Sequence, residues 1–173
     1  MTGRHREFLP IALGVFALVA GYGVVNDQFI VAIAPNHFAV YHPHYFPFES
    51  ARLQALCFGL IGAGGPGLGW GILLYWAGHY GKLPEIGARA TLLVAGTVLI
   101  VTALAAWALG REVAATNVTP YPNFFYPDTD DYLNVTQTVQ LTNYLAGVTG
   151  AALSIVGLWA WRIARAPAAE PVS

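Results

Sequence analysis

The side chains best suited to chemistry lie in one stretch of the chain, which holds His37, His42, His44 and Glu49. Imidazole nitrogens bind zinc, copper or iron, and a carboxylate can complete such a ligand set. The spacing matches no specific metal signature, and Pro43 constrains the two imidazoles beside it without aiming them at one point. Two hypotheses follow: a metal site, or histidines with a purely structural role at a membrane surface.

Other patterns that could do chemistry are weaker. The glycine-rich run from Gly62 to Gly71 lacks the Gly-Lys-Ser/Thr ending of a phosphate loop and has no preceding strand. The lone Cys57 excludes an intramolecular disulfide framework and multi-cysteine metal sites. We therefore expect no catalytic residues and no cofactor, except for a metal at the histidine stretch.

The composition indicates a membrane protein. Hydrophobic residues make up 56% of the chain and charged residues only 10%, whereas soluble domains carry about 25% charged residues because water meets their whole surface. The formal net charge of -1 provides no basic surface for nucleic acid. Partners are thus expected to be the lipid bilayer, other membrane subunits or a second copy of the chain.

Four apolar runs are long enough to cross a bilayer as helices, since about 20 residues span its hydrocarbon core. We predict helices at residues 8–25, 53–78, 90–110 and 138–163, all in one transmembrane domain over residues 1–173. The first run continues past the weak cleavage site at Ala20, which favours a retained helix over a cleaved leader. The predicted fold class is an all-α membrane protein with two longer outer loops, 26–52 and 111–137.

The distribution of basic residues predicts the orientation. Of the 8 Lys and Arg residues, only Arg52 and Arg111 flank the predicted outer loops, and the rest lie at the opposite ends of the helices. Because basic flanks favour the cytoplasm, both termini are predicted to be cytoplasmic. A bacterial inner membrane is the expected location.

The first outer loop contains two short segments rich in β-favouring residues. Residues 29–34 and 38–41 are apolar and are separated by the turn-forming pair Pro35-Asn36. The pattern predicts a small β-hairpin on the outer membrane surface.

Small residues predict how the helices pack. One row recurs every four residues in the second helix, and a matching row lies in the fourth: Gly59, Ala63, Gly67 and Gly71, with Ala146, Gly150 and Ser154. Such rows admit the backbone of a neighbouring helix. Pro66 cannot donate a backbone hydrogen bond, so we expect a kink at this point.

Two charges lie close to the predicted hydrocarbon region. Asp27 and Arg52 stand at the outer ends of the first and second helices. Ionisable groups near the membrane interior are costly unless they are paired. We therefore predict an Asp27–Arg52 pair that fixes this helix junction.

Several short motifs together resemble a group of small uncharacterised bacterial four-helix integral membrane proteins. They are Asn26-Asp27-Gln28 closing the first helix, Pro35 to Phe38 leading to His42-Pro43, the turn Gly81 to Pro84, and Asn143-Tyr144 in the fourth helix. The resemblance covers most of the chain. It implies the four-helix topology and an outward-facing loop, and it transfers no activity or functional residue.

These observations favour a non-enzymatic function as an accessory or scaffold subunit of a membrane complex. Two alternatives stay open at the level of the sequence. One is a metal site or sensor on the first outer loop. The other is a small transporter or channel that uses the helix break at Pro66.

Overall fold

The computed structural model describes residues 4–43, 45–126 and 131–166, and this part of the chain is built from helices. Four are long: α1 (Arg4–Ile33), α3 (Ala51–His79), α4 (Ala88–Thr116) and α5 (Asp131–Ala164). The one-turn helix α2 (Asn36–Ala39) follows α1, and a short 3-10 turn lies at Asn123–Phe125. All four long helices are long and apolar enough to cross a membrane, which confirms the predicted all-α class and the predicted number of such helices.

The long helices extend further than the sequence predicts. The last, α5, has 34 residues and begins at Asp131 instead of residue 138, and α1 continues to Ile33 instead of residue 25. At 1.5 Å per residue, α5 is about 50 Å long and exceeds the hydrocarbon thickness of about 30 Å. The helices therefore also form much of the layer beyond the hydrocarbon.

The predicted β-hairpin is wrong, because no strand occurs among the described residues. Residues 29–33 are the last turns of α1, and Ile30 and Val31 are buried there. Further along the hairpin segment, Phe38 belongs to α2 and is fully buried. Strand propensity is a weak preference that packing overrides, and a helix satisfies the backbone without a partner strand.

The helices alternate in direction. The backbone of Gly59 in α3 lies beside Val24 of α1, and Gly71 lies beside Ala12, so α1 and α3 are antiparallel. The same holds for α4 and α5, since Gly110 lies beside Val139 and Gly150 beside Val98. The two pairs pack through α1 with α4 and α3 with α5, forming a four-helix bundle.

We name the two ends of the bundle by what they carry. The loop end carries residues 34–50 and 117–126, and the terminal end carries residues 80–87 and the start of α1. One buried apolar cluster lies toward the terminal end and includes Ile11, Leu74 and Leu158. A second lies toward the loop end and includes Ile30 and Phe38. These clusters fix the helices that support the candidate sites.

Candidate functional site

The predicted metal-binding residues separate into different environments. His37 is buried with 1% of its surface exposed, His42 is partly buried, and Glu49 is exposed. His44 lies outside the described residues. The rings of His37 and His42 are 5.0 Å apart, centroid to centroid. Within residues 4–43, 45–126 and 131–166, no three His, Cys, Asp or Glu side chains come together as a ligand set.

Both ring nitrogens of His37 have partners on α5. Nδ1 is 3.0 Å from the Thr136 hydroxyl, and Nε2 is 2.5 Å from Oε1 of Gln140. Burial lowers the pKa of His37 to about 4, so the ring is neutral at pH 7. Since Gln140 Oε1 can only accept, Nε2–H of His37 donates to it, and Nδ1 is left as an acceptor. The Thr136 hydroxyl also lies 3.1 Å from the Leu133 carbonyl oxygen, so its one hydrogen has two neighbouring acceptors, this carbonyl and Nδ1. A metal ion would have to displace one of these partners.

His42 has a different hydrogen-bonding state. Its Nδ1 is 2.8 Å from the backbone carbonyl oxygen of His37, and a carbonyl can only accept, so Nδ1 carries the proton. Burial also lowers the pKa of His42, which favours the neutral ring, so the other nitrogen, Nε2, carries a lone pair that can accept a hydrogen bond. The ring lies 4.8 Å from both Phe38 and Phe58, centroid to centroid. These aromatic contacts and the carbonyl bond fix the tautomer and orientation of the imidazole.

A cavity of about 420 Å³ lies beside these histidines at the loop end. Five aromatic side chains line it: Tyr41, Phe124, Phe125, Tyr126 and Tyr144. Among the residues that the structure describes, the remaining lining comes from two imidazoles, two amides and one aliphatic side chain: His37, His42, Gln137, Gln140 and Leu141. None of these side chains carries a formal charge at pH 7. The cavity can therefore accept a neutral molecule, and the aromatic rings favour a flat one.

Side chains of α5 hold one wall of the cavity. Nε2 of Gln140 donates to the Tyr144 hydroxyl at 2.6 Å, one helical turn away. The Tyr126 and Thr138 hydroxyls are 2.9 Å apart, which ties the 3-10 turn segment to the same helix. Sequence analysis missed these residues, although the run of Thr and Gln at the start of the fourth apolar segment was a signal that this face of α5 is polar.

A polar network joins α1 and α5 in the half of the bundle nearer the loop end. The Tyr22 hydroxyl donates to Oδ1 of Asn143 at 2.6 Å, and Nδ2 of Asn143 donates to Oδ1 of Asn26 at 3.2 Å. Nδ2 of Asn26 in turn contacts Oδ1 of Asp27 at 3.3 Å. These bonds satisfy polar groups that are buried or partly buried between the two helices. The network therefore fixes the relative positions of α1 and α5.

The predicted Asp27–Arg52 pair is wrong. Both side chains are described, and Asp27 is buried and contacts Asn26, whereas Arg52 is exposed. The contact between the two helices is made by Gln28, whose Nε2 donates to the backbone oxygen of Arg52 at 3.0 Å. Because α1 runs past Asp27 to Ile33, the carboxylate lies about two turns inside the helix. An exposed Arg at the first turn of α3 does not face it.

The row of small residues from Gly59 to Gly71 in α3 packs inside the bundle. Its neighbour is α1, and not α5, which carries the other predicted row. A Cβ atom added at Gly59 would lie 2.7 Å from the Val24 backbone, and one at Gly71 would lie 2.9 Å from the Ala12 backbone. Gly67 faces Val19 of α1, and Ala63 faces Gly23. These close approaches require small residues, so this row forms the tight α1–α3 interface.

The expected row on α5 is divided between two neighbours. Gly150 packs against Val98 of α4. Ser154 meets α3, because its hydroxyl accepts a hydrogen bond from Nε1 of Trp70 at 3.1 Å, and Ala146 is partly buried. Pro66 lies within the unbroken α3 and is exposed.

A second set of glycines on α3 has no neighbour within the described chain. A Cβ added at Gly62, Gly65 or Gly69 would meet nothing within 4 Å, and all three positions are exposed. Their spacings of three, four and seven residues place them on one face of the helix. We call this the open glycine face. The open glycine face is separate from the row of small residues through Gly59 and Gly71 that packs on α1.

Two residues at the terminal end were missed by sequence analysis. Arg162 is 1% exposed, and its guanidinium donates to backbone oxygens of the connection between α3 and α4, for example to Ala77 at 2.7 Å. Glu7 Oε2 accepts the backbone N–H of Ala88 at 2.7 Å, at the start of α4. An arginine directly after an apolar run is normally interpreted as a flank that faces water. Nothing in the sequence pattern therefore indicated that Arg162 is buried.

The fold defines a class, a helical protein with four helices that are long and apolar enough to cross a membrane. Comparisons with models of protein families, with curated proteins and with solved structures give no match to this chain. Its function is therefore argued from its own residues.

Proposed function

We propose that the protein is a non-enzymatic accessory or scaffold subunit that associates with other transmembrane helices. The proposal places it in a bacterial cytoplasmic membrane with both termini in the cytoplasm. The observation that supports association is the open glycine face of α3, and the distribution of Lys and Arg supports the orientation.

Glycine inside a helix is unfavourable by roughly 0.5–1 kcal/mol relative to alanine. The small residues of α3 that face α1 offset this cost, because they allow the backbones of α1 and α3 to approach closely. Gly62, Gly65 and Gly69 make no such contact within the described chain. Small residues four apart, as at Gly65 and Gly69, let a second helix approach closely, and close packing is what drives helix association in lipid. A transmembrane helix from a partner or a second copy fits this face.

The alternatives receive less support from the packing. A transport path between α3 and α5 would have to pass the place where Trp70 bonds Ser154 and where Leu74 and Leu158 are buried. A metal site at the histidines would have to break the contacts that His37 makes with Thr136 and Gln140. We therefore favour association over transport or metal sensing.

Substitution on the open glycine face tests the proposal. Gly62→Leu and Gly69→Leu add bulk without touching the bundle interior, so the monomer should stay folded. Gly157→Leu is the matched control, since Gly157 is an exposed glycine of α5 with nothing within 4 Å of an added Cβ. The assay is crosslinking in native membranes followed by mass spectrometry of the protein purified in nanodiscs.

The expected result is a defined partner or dimer with the wild type and with Gly157→Leu, and its loss with Gly62→Leu and Gly69→Leu. A wild type that is monomeric and captures no partner would overturn the proposal. The same conclusion would follow if all four proteins associated equally.

The orientation has a separate test. Arg165 is exposed at the end of α5, so trypsin can remove a C-terminal epitope tag after this residue. We expect loss of the tag in inside-out vesicles and its retention in right-side-out vesicles. The reverse pattern would place the termini on the other side.

A further inference from the structure

The cavity at the loop end has features of a small-molecule site that the scaffold proposal does not use. Its volume of about 420 Å³ is within the range of about 300–1,000 Å³ typical of ligand pockets. Aromatic side chains make up half of the lining residues that the structure describes, and none of these ten is Asp, Glu, Lys or Arg. A charged ligand would therefore lose its hydration without gaining a counterion from these ten residues.

Two polar atoms on different elements are available to a ligand. The first is Nε2 of His42, an acceptor, because Nδ1–H is committed to the His37 carbonyl. This Nε2 has no hydrogen-bond partner among residues 4–43, 45–126 and 131–166. The second is the Tyr144 hydroxyl, which accepts from Gln140 and so keeps its own O–H to donate. Both residues line the cavity, so it offers one acceptor and one donor between aromatic rings.

The depth of the cavity indicates where a ligand would enter. Trp161 lies at the terminal end of α5, where tryptophan prefers the membrane–water interface. Twenty residues of helix, about 30 Å, separate it from Leu141, which lines the cavity together with Tyr144. The cavity therefore lies at the opposite interface, within reach of molecules in the lipid headgroup layer and in water.

We propose that this cavity binds a neutral aromatic molecule that carries a hydroxyl group, of the phenol or hydroquinone class. The ring lies among the aromatic side chains, the ligand hydroxyl donates to Nε2 of His42, and a ligand oxygen accepts from Tyr144. A hydroxyl supplies both the donor and the acceptor that the site requires. Binding leaves the open glycine face of α3 untouched, so the inference does not depend on the scaffold proposal.

Equilibrium dialysis of hydroquinone against the full-length protein in nanodiscs tests the proposal, with protein-free nanodiscs subtracted. The chemical control is 1,4-dimethoxybenzene, which keeps the ring and the oxygens but has no hydroxyl to donate. Tyr144→Phe removes only the donor hydroxyl. His42→Phe removes the acceptor Nε2 together with the Nδ1–H that bonds the His37 carbonyl, and both variants keep an aromatic ring. Tyr45→Phe is the matched control, because Tyr45 is 74% exposed and does not line the cavity.

Loss of a single hydrogen bond should weaken binding about fivefold. We expect that loss for Tyr144→Phe, a loss of similar size or larger for His42→Phe, and no change for Tyr45→Phe. Dimethoxybenzene should bind the wild type at least fivefold more weakly than hydroquinone does. Unchanged thermal unfolding of Tyr144→Phe would show that its loss is not a folding defect.

The source of the ligand is tested by adding an alkyl tail to hydroquinone. Its affinity is corrected for partition into protein-free nanodiscs. If the tailed molecule then binds more tightly than hydroquinone, the result supports entry from the bilayer. Equal affinity supports entry from water, and both results support the site. The proposal is overturned if hydroquinone does not bind saturably, if dimethoxybenzene binds equally well, or if neither Tyr144→Phe nor His42→Phe changes the affinity.

Discussion

Replacement of Arg162 tests whether a single buried guanidinium holds the terminal end of the bundle together. Its Nη1 donates to Ala77 at 2.7 Å and its Nε to Pro84 at 2.8 Å. Its Nη2 reaches Tyr80 at 2.9 Å and Leu83 at 3.0 Å. One side chain of α5 thereby satisfies carbonyls at the last turn of α3 and along the connection to α4. The change with the most similar bulk and no donors is Arg162→Met.

The magnitude follows from these bonds and from the cost of burying the charge. A hydrogen bond to a charged group contributes about 1.5–3 kcal/mol. Four such bonds do not add, because removal of the charge also removes its desolvation cost and water can reach some of the freed carbonyls. We therefore expect Arg162→Met to lower the free energy of unfolding by about 3–5 kcal/mol, roughly the contribution of two such bonds.

Lysine provides a graded comparison. Arg162→Lys keeps the charge but replaces the planar fork with a single ammonium, which cannot reach carbonyls on both sides of the connection at once. About half of the Arg162→Met effect is expected, on the order of 2 kcal/mol. The control is Arg165→Met, since Arg165 is exposed and its guanidinium lies 4.3 Å above the Trp161 ring centre. Its effect should stay below about 1 kcal/mol.

Two assays report on this prediction. Titration with a denaturing detergent gives the free energy of unfolding, and trypsin cleavage after Lys82 gives the local opening of the connection. Lys82 is exposed, but its neighbour Leu83 is held by Arg162, so cleavage requires the connection to open. Arg162→Met should speed cleavage at least 100-fold. Equal unfolding and cleavage in Arg162→Met and Arg165→Met would refute the reasoning.

Three further predictions concern single contacts. Glu7→Gln removes the charge that accepts the Ala88 N–H and should cost about 1 kcal/mol in detergent unfolding; no change would exclude a capping role. Trp70→Phe leaves the buried Ser154 hydroxyl without its indole donor, and a loss of about 1–3 kcal/mol is expected by the same assay. Because burial lowers the pKa of His37 from 6.5 to about 4, its stabilising effect is complete above pH 6.5 and is lost as the pH falls toward 4. Unfolding at stepwise lower pH should show a decline of at most about 1.4 kcal/mol per pH unit that disappears in His37→Gln.

The sequence predicted the number and approximate positions of the spanning helices because composition and length decide them. Nearly uncharged runs of about 20 residues have one structure available in lipid, a helix with internally satisfied backbone groups. The sequence could not predict how far the helices continue beyond the hydrocarbon region. In that layer Ile30 and Phe38 are packed into a buried cluster, and this packing outweighs the strand preference of the surrounding residues.

The partners of individual side chains were less predictable than the helices. Asp27 and Arg52 are close in the predicted topology, but side-chain contact depends on the rotation of each helix about its axis, which a spacing pattern does not give. The same limit applies to Arg162, because burial at a helix end depends on how the preceding connection folds. In contrast, the grouping of His37 with His42 followed from sequence proximity, and the structure shows their rings in contact.

The glycine-rich run in α3 shows why spacing alone could not assign its function. Glycines occur there at intervals of two, three and four residues, so small-residue rows can be drawn on more than one face. Only the rotation of α3 against α1 shows that the row through Gly59 and Gly71 is internal and that Gly62 and Gly69 are open. This division makes the two proposals separable. Gly69→Leu should abolish association and leave hydroquinone binding unchanged, whereas Tyr144→Phe should weaken binding and leave association intact. If either variant changed both properties, the open glycine face and the cavity would be parts of one interface, and neither proposal could stand as stated.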